Sequence, residues 1–517
     1  MFNVSNFNIV RNNVDHTFKS ILFVAVILLS AVTNNMAQET DTLTAAKELG
    51  TQHKTKEACQ LLEAYYAHHQ EDLYAGWLYA SALHQAKKYK KSQAVFDSTL
   101  LLFPDNTDLK LDYAMKLAEA GASREAMYQL NELGASLPEP YQLAISTTKA
   151  RIYYWQGAYD KAEKEVEQAL AISAGDPQAV SLKKSIDQAR SNWLVVDASY
   201  STDDQPLQII TPSVKTIFYH NAMFTWGASF DAPVFLETEK TLSGQWLNGF
   251  AKFSFLGPKI TLKINAGGLR LPATDFDWTA GVHLDKTLWK HLSAGLSAER
   301  LPYMATLTSL NKKVMQARYG AYVSWSDPNG WMGHAAYDLN SFPSFDNHYY
   351  TASVWLVTPA LKLSVFSFKA GYGFNYSDSK ESTFVSDKPL DEIIDNWDTT
   401  TVVTGIYDPF FSPNKQSVHS AILIITAVPV PKLNISLTAN YGFLAKAQTP
   451  YLYLDEDDNK DTYIHREFYE DRYHPLQFDG KISYELSGNF SIYGYYTYQR
   501  TNFYTLNLFG LTTIYHF

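Results

Sequence analysis

From about residue 192 to the carboxy terminus, apolar and polar residues alternate with a period of two in one segment after another. That pattern admits β-strands with one dry face and one wet face, and little else. Leu433, Ile435, Leu437, Ala439, Tyr441 and Phe443 fall on one side of such a segment, with Asn434, Ser436, Thr438 and Asn440 on the other. Phe478, Gly480, Ile482 and Tyr484 likewise oppose Asp479, Lys481, Ser483 and Glu485. A row of two acids, a lysine and a serine cannot lie in a dry core without partners. It suits a water-filled lumen, which leaves the apolar row for lipid. The last segment, 505–517, puts Phe509, Leu511, Tyr515 and Phe517 on one face. An edge strand of a soluble sheet alternates in the same way, so the rest of the chain has to decide.

About sixteen strands fit between Asn192 and Phe517, and the connections test that count. In a membrane barrel whose first strand runs outward, even-numbered connections are short turns and odd-numbered ones can be long. Short turns are read near Asn221, Gly257, 286–291, 327–330, Pro359, 429–431 and 487–489. Longer connections are read over 232–244, 268–276, 301–313, 340–347, 378–416 and 446–473. An even total returns Phe517 to the side where the strands begin. Trp325, Trp331 and Trp355 flank two of the short turns, where an aromatic girdle is expected. Sixteen strands leave an aqueous bore, whereas eight would be filled by their own side chains. A long loop such as 378–416 could still fold inward as a plug.

Aromatic residues are abundant, with 35 Tyr and 29 Phe, yet the mean hydropathy is only -0.23. That balance suits a barrel better than a bundle of membrane helices. The longest apolar run, 21–32, is too short to span about 30 Å as a helix. Arg11 and Lys19 precede it and Ala37 follows, the layout of a secretory signal peptide over 1–37 cleaved before Gln38. A retained anchor is the other reading. No cysteine stands at the start of the mature chain, which argues against a lipoprotein.

Between about Asp41 and Arg190 the period is helical, and a small residue recurs about every 34 positions, at Ala58, Ser92, Ala126 and Ala162. Four residues after each comes a larger apolar one: Leu62, Phe96, Leu130 and Val166. Pro104 and Pro138 follow the second and third, placed to end the helix. Small residue, large residue and proline form the layout of the second helix of a tetratricopeptide repeat. The small residue lets paired helices approach and the large one fills the hole between them. About three and a half to four repeats are expected. Such arrays leave a concave face that docks a protein or a flexible polymer.

The expected lumen positions carry both signs of charge: Lys252, Lys263, Glu299, Arg318, Asp338, Asp479, Lys481 and Glu485. Two readings stand, a polar track for a neutral or weakly charged polymer, or cross-strand ion pairs that steady the wall. Aromatic clusters at 342–350 and 407–411, with Trp397, could stack on sugar rings or pack loops together. The segment 455–461 resembles the start of a calcium loop, but Lys460 and Arg466 replace the residues such a loop needs, so no metal site is expected. His53, His68, His69 and His84 read as surface histidines, and the single Cys59 as a small buried residue. No nucleophile elbow, zinc motif or phosphate-cradling loop is present, so neither an enzyme nor a cofactor is expected. The net charge of -10 argues against nucleic acid as a partner.

A signal peptide, a tetratricopeptide solenoid over 41–190 and a transmembrane antiparallel β-barrel over 192–517 together resemble the outer-membrane exporters of bacterial exopolysaccharides. Those of poly-N-acetylglucosamine and of cellulose are the examples. A local likeness to the cellulose type lies at Glu299-Arg300-Leu301-Pro302 followed by Ser309-Leu310. The resemblance implies repeats in the periplasm that engage a periplasmic or inner-membrane partner, and a barrel that carries polysaccharide across the outer membrane. It also likens Phe509, Leu511, Tyr515 and Phe517 to the carboxy-terminal signal read by the barrel-insertion machinery. The array is shorter than those exporters often carry. A non-transporting scaffold that recruits periplasmic partners is the alternative.

Overall fold

The computed structural model describes residues 39–52, 54–134, 136–204, 207–236, 241–271, 276–395, 403–458 and 461–517. The expected signal peptide, His53, Trp397 and Lys460 lie outside these residues. By internal contacts the chain divides between Ala135 and Ser136 into two compact units.

The first unit contains six described helices: α1 Glu39–Thr51, α2 Thr55–Tyr66, α3 Leu73–Gln85, α4 Tyr89–Leu102, α5 Thr107–Glu119 and α6 Ser123–Glu132. Side-chain caps start two of them at equivalent places. Asp72 accepts from Tyr74 N at 2.8 Å, and Asn106 accepts from Leu109 N at 2.8 Å. Each satisfies a backbone donor that the first helical turn leaves free. Ala58, Leu62, Ser92, Phe96, Ala126 and Leu130 are all buried. Ser92 Oγ donates to Ala80 O at 2.7 Å, so even the polar small residue is satisfied at the α3–α4 contact. Phe96 is fully buried and stacks on Tyr113 with centroids 4.8 Å apart. The helix α6 ends at Glu132, ahead of Gly134 with a φ of 74°. Pro138 therefore does not stop α6; it sits at the N-cap of the next helix.

His84 is no surface residue. Its side chain is 11% exposed and its Nε2 lies 3.1 Å from Glu119. Cys59 is buried, as a small helical residue in an apolar cluster.

The second unit opens with α7 Glu139–Trp155, α8 Tyr159–Ile172 and α9 Pro177–Arg190. Ala162 and Val166 of α8 are fully buried. Sixteen barrel strands follow. They are β1 Trp193–Asp203, β2 Gln208–Asn221, β3 Phe224–Asp231, β4 Gln245–Phe255, β5 Ile260–Arg270, β6 Asp277–Trp289, β7 Leu292–Pro302 and β8 Met315–Ser326. The ring continues with β9 Met332–Phe342, β10 Asn347–Val357, β11 Phe366–Ser379, β12 Gln416–Val430, β13 Leu433–Glu456, β14 Leu476–Ser487, β15 Phe490–Arg500 and β16 Thr505–His516. Each pairs antiparallel with its neighbours in chain order, and β16 returns to β1 from Trp193↔His516 to Asp203↔Leu506. The ring is closed. No edge is left to carry unpaired backbone groups into lipid.

At the end where β1 begins, called the near end, the connections are short, as at 222–223, 290–291, 431–432 and 488–489. At the far end they include 232–244, 303–314 and 380–415. The expected loop over 446–473 is instead a projecting hairpin, because β13 runs on to Glu456 and Thr462–Tyr473 returns beside it.

The register fixes which residues share a face. Val196, Val214, Leu247, Leu284, Leu296, Val354 and Leu423 are exposed apolar residues of one face, together with Phe509, Leu511, Tyr515 and Phe517. Trp226, Trp289, Trp325 and Trp331 are exposed toward the near end. Trp355 departs from the expected girdle. It pairs with His334 in register and stacks on it at 5.4 Å, facing inward. An outward apolar band with aromatic rims on a closed antiparallel ring is the architecture of outer-membrane barrels.

Because Phe96 fills the contact between α4 and α5, Phe96→Ala is expected to cost about 3–5 kcal/mol. Leu101→Ala, at a position 83% exposed, is expected to shift stability by less than about 0.5 kcal/mol. Urea unfolding of the helical signal in the full chain distinguishes the two.

Candidate functional site in the barrel interior

The inner face follows from cross-strand register. All eight charged positions singled out from the sequence lie on the face opposite the exposed apolar row, namely Lys252, Lys263, Glu299, Arg318, Asp338, Asp479, Lys481 and Glu485. The structure brings together only some of them. Arg318 pairs with Asp338 at 3.4 Å. Glu299 is held instead by His283 at 2.9 Å. Asp479 accepts from Thr497 Oγ1 at 2.7 Å and from Gln477 Nε2 at 2.9 Å. Lys481 lies 3.8 Å from the centroid of the Tyr493 ring, a cation–π contact. Lys252 and Lys263 are exposed although they face the inside of a closed ring. At their level the ring must enclose solvent.

Several inward residues were not singled out from the sequence. Asp197 accepts from Thr512 Oγ1, Asp285 accepts from Tyr322 Oη, and Ser324 Oγ lies 2.7 Å from His334 Nδ1. Lys215 also points inward, 4.9 Å from the centroid of the Phe250 ring. The same alternation that located Lys252 could have found it, since Val214 and Thr216 face the other way. Inward rings lie flat on glycine. A Cβ at Gly510 would meet Tyr495 Cζ at 2.0 Å, and one at Gly295 would meet Tyr322 Cε1 at 2.2 Å. Glycine at these two points lets large rings line the wall without filling the bore.

Toward the far end the interior changes character. Inward Phe342 is fully buried and stacks on Phe410 of the 380–415 connection, with centroids 3.6 Å apart and planes 5° apart. Phe411 N donates to Tyr303 Oη at 3.1 Å, and Thr306 Oγ1 donates to Pro409 O at 2.7 Å. Beside them Leu207, Phe235, Leu269, Leu271, Leu310 and Met315 form a second buried cluster. Leu310 belongs to a single helical turn, Leu307–Asn311, opened by a reciprocal cap between Thr306 and Ser309. Far-end connections thus build an apolar core against the inner wall. The aromatics at 342 and 410 pack the loops and present no free ring face for sugar.

At the near end, α8 and α9 are tied to the rim. Asp160 accepts from Tyr219 Oη at 3.1 Å and from Ala222 N at 3.0 Å. Arg190 pairs with Glu163 and lies 3.3 Å from Asp160. Lys183 Nζ donates to Glu163 at 3.0 Å and to Asp187 at 2.7 Å. The chain terminus is fixed beside them, with Asn192 and Phe517 exchanging backbone hydrogen bonds at 3.0 and 2.9 Å. Among the described residues no group of three His, Cys, Asp or Glu side chains could hold a metal ion.

No family model matches the chain, and no curated protein matches it. Among solved structures, residues 41 to the end of MamA from Desulfovibrio magneticus RS-1 match at 15% identity and a TM-score of 0.26, over 30% of this chain and 86% of that one. The translocator domain of the autotransporter NalP from Neisseria meningitidis matches at 10% identity and 0.24, over 63% and 88%. A loop-deletion mutant of OmpT, an outer membrane protein of Vibrio cholerae, matches at 9% identity and 0.30, over 63% and 98%. At such TM-scores these likenesses carry no argument. The fold rests on helix packing and strand register.

Burial alone would raise the Glu163 carboxyl, but hydrogen bonds and charge from Lys183 and Arg190 outweigh it and hold it below its ordinary value of 4.5. A depressed folded value gives stability that is present above the unfolded value and lost as pH falls through the folded one. Hydrogen-exchange protection factors in α8 and α9, in which the intrinsic pH dependence is divided out, should therefore fall as pH drops below 4.5. Glu163→Gln should flatten that dependence.

Proposed function

We propose that the chain is an outer-membrane channel for export of an exopolysaccharide. In this reading the far-end loops close it at rest, and the helical repeats dock a partner of the synthesis machinery in the periplasm. The observation that carries the reading is the solvent-exposed pair Lys252 and Lys263 inside a closed sixteen-strand ring. A wall that served only as an anchor has no need of a wet interior lined by charge. The interior's hydroxyls, carboxylates and rings supply hydrogen bonds and flat surfaces of the kind a sugar chain meets. The reading gives the protein transport and docking roles and no catalytic one.

The far mouth favours a second reading, a barrel that anchors the repeats as a scaffold and conducts nothing. Phe342 against Phe410 and the fully buried Leu310 make a packed core of that mouth. A gate and a permanent plug look alike in one structure. They differ when the loop is removed.

In planar bilayers the full chain should stay closed for most of the time. A variant with 382–412 replaced by a short Gly-Ser linker should conduct steadily and be blocked by soluble glycans. No conductance from a variant that still migrates as a folded barrel on an unheated detergent gel would remove the channel reading and leave the scaffold.

A further inference from the structure

Three lysines on neighbouring strands crowd one patch of the inner wall. Lys252 of β4 stands directly opposite Lys263 of β5 in register. Lys215 of β2 lies 4.9 Å from the centroid of the Phe250 ring, and Lys263 lies 6.0 Å from the same centroid. The ring is itself seated by the wall, since a Cβ at its register partner Gly227 would meet Phe250 Cζ at 2.5 Å. One aromatic ring thus has two ammonium groups beside it, and a third stands across the ladder. Among the described residues no carboxylate lies within 4.0 Å of any of the three. Two acids act on them only from beyond ion-pair distance, Asp231 on Lys215 and Glu299 on Lys263. Glu299 is paired with His283, which follows Lys263 in the row, and Asp285 accepts from Tyr322. Asp231, toward the far end of β3, stands in register with Ser213 and Trp246.

Like charges set opposite each other on a ladder destabilise it, and among the described residues no acid comes within ion-pair distance to neutralise these. Ion pairing that steadies the barrel accounts for Arg318 with Asp338. It does not account for Lys215, Lys252 and Lys263. An arrangement that costs stability and breaks the local pairing rule is expected where it serves binding. Two ammonium groups at one ring and a third across the ladder, in a solvent-filled bore, offer charge-assisted hydrogen bonds to anionic oxygens.

We propose that Lys215 and Lys263, gathered at the Phe250 ring, form with Lys252 an anion-binding station in the bore, and that the exported polymer is an acidic glycan bearing carboxylate, sulfate or phosphate groups. The choice of a glycan rests on the export reading above; the preference for anions does not.

The test is equilibrium binding to the detergent-solubilised full chain of two probes, a hexamer of a uronic acid and the neutral cellohexaose. The wild type should bind the uronate hexamer more tightly than cellohexaose, with an affinity that falls as salt rises. The triple variant Lys215→Gln, Lys252→Gln, Lys263→Gln should lose at least about tenfold in uronate affinity, which is 1.4 kcal/mol at 25 °C. The corresponding triple change to Arg, which keeps charge and cation–π contact, should stay within about threefold of wild type. Unheated migration on a detergent gel verifies that each variant folds. Equal uronate binding by wild type and the Gln variant would overturn the station, as would cellohexaose bound as tightly as uronate, or no uronate bound by wild type. None of these outcomes touches the conductance of the loop-replaced chain, so the station can fail while the channel stands. Conversely, a station that selects the uronate in a barrel that never conducts would leave the anion site standing and remove the channel.

Discussion

Closure of the ring is the constraint on which the rest depends. In hydrocarbon each unpaired backbone group costs several kcal/mol, so a strand barrel is stable there only without edges. The β1–β16 ladder meets that demand, and the exchange between Asn192 and Phe517 extends it to the last residue of the chain. Once the ring is closed, alternation along each strand sorts every side chain to lipid or to the bore. Charged residues at mid-wall such as Lys252 and Asp479 then face the bore, whereas Arg300, on the outward face toward the far end, lies against the Trp278 ring. Their neighbours decide whether they are held as a pair, as with Arg318 and Asp338, or left presented to solvent, as with Lys252 and Lys263.

The two ends of the barrel solve different problems with the same vocabulary of side chains. At the near end polar groups join the helices to the rim: Asp160 spans a tyrosine hydroxyl and a backbone amide, and Arg190 binds two carboxylates. Such contacts are directional, so they fix an orientation more than they add stability. At the far end apolar contacts hold loops against the wall. The Phe342–Phe410 stack and the cluster around Leu310 are non-directional burial.

The strand reading succeeded because lipid enforces the period of two, and a row such as 478–485 has no other stable setting. The same alternation puts the eight charged positions on the face opposite the exposed apolar row. Where both faces of a strand are wet the signal fades, and the 446–473 hairpin was read as a loop. Trp355 lies beside a turn, where a girdle is expected, but parity decides its face: Val354 and Leu356 are exposed, so the position between them faces inward. Pro138 was read as a stop because the 34-residue spacing put it there. A shorter α6 ending before Gly134 let the proline begin the next helix instead. His84 looked exposed because its partner Glu119 is 35 residues away and belongs to the following helix pair, a contact no local window contains.

What the sequence could not display was which inward charges lack partners. That depends on register between strands, and a one-residue slip would move every side chain of a strand to the other face. Register set Glu299 against His283 and left it beyond ion-pair distance of Lys263, and it set Lys252 directly opposite Lys263. The same alternation that names a charged inner face is therefore compatible with a wall of neutralised pairs and with a wall that presents cations to whatever passes. Pairing across the ladder, read strand by strand, separates the two. On β8 and β9 it gives a braced wall, and on β2, β4 and β5 a surface with positive charge to spare.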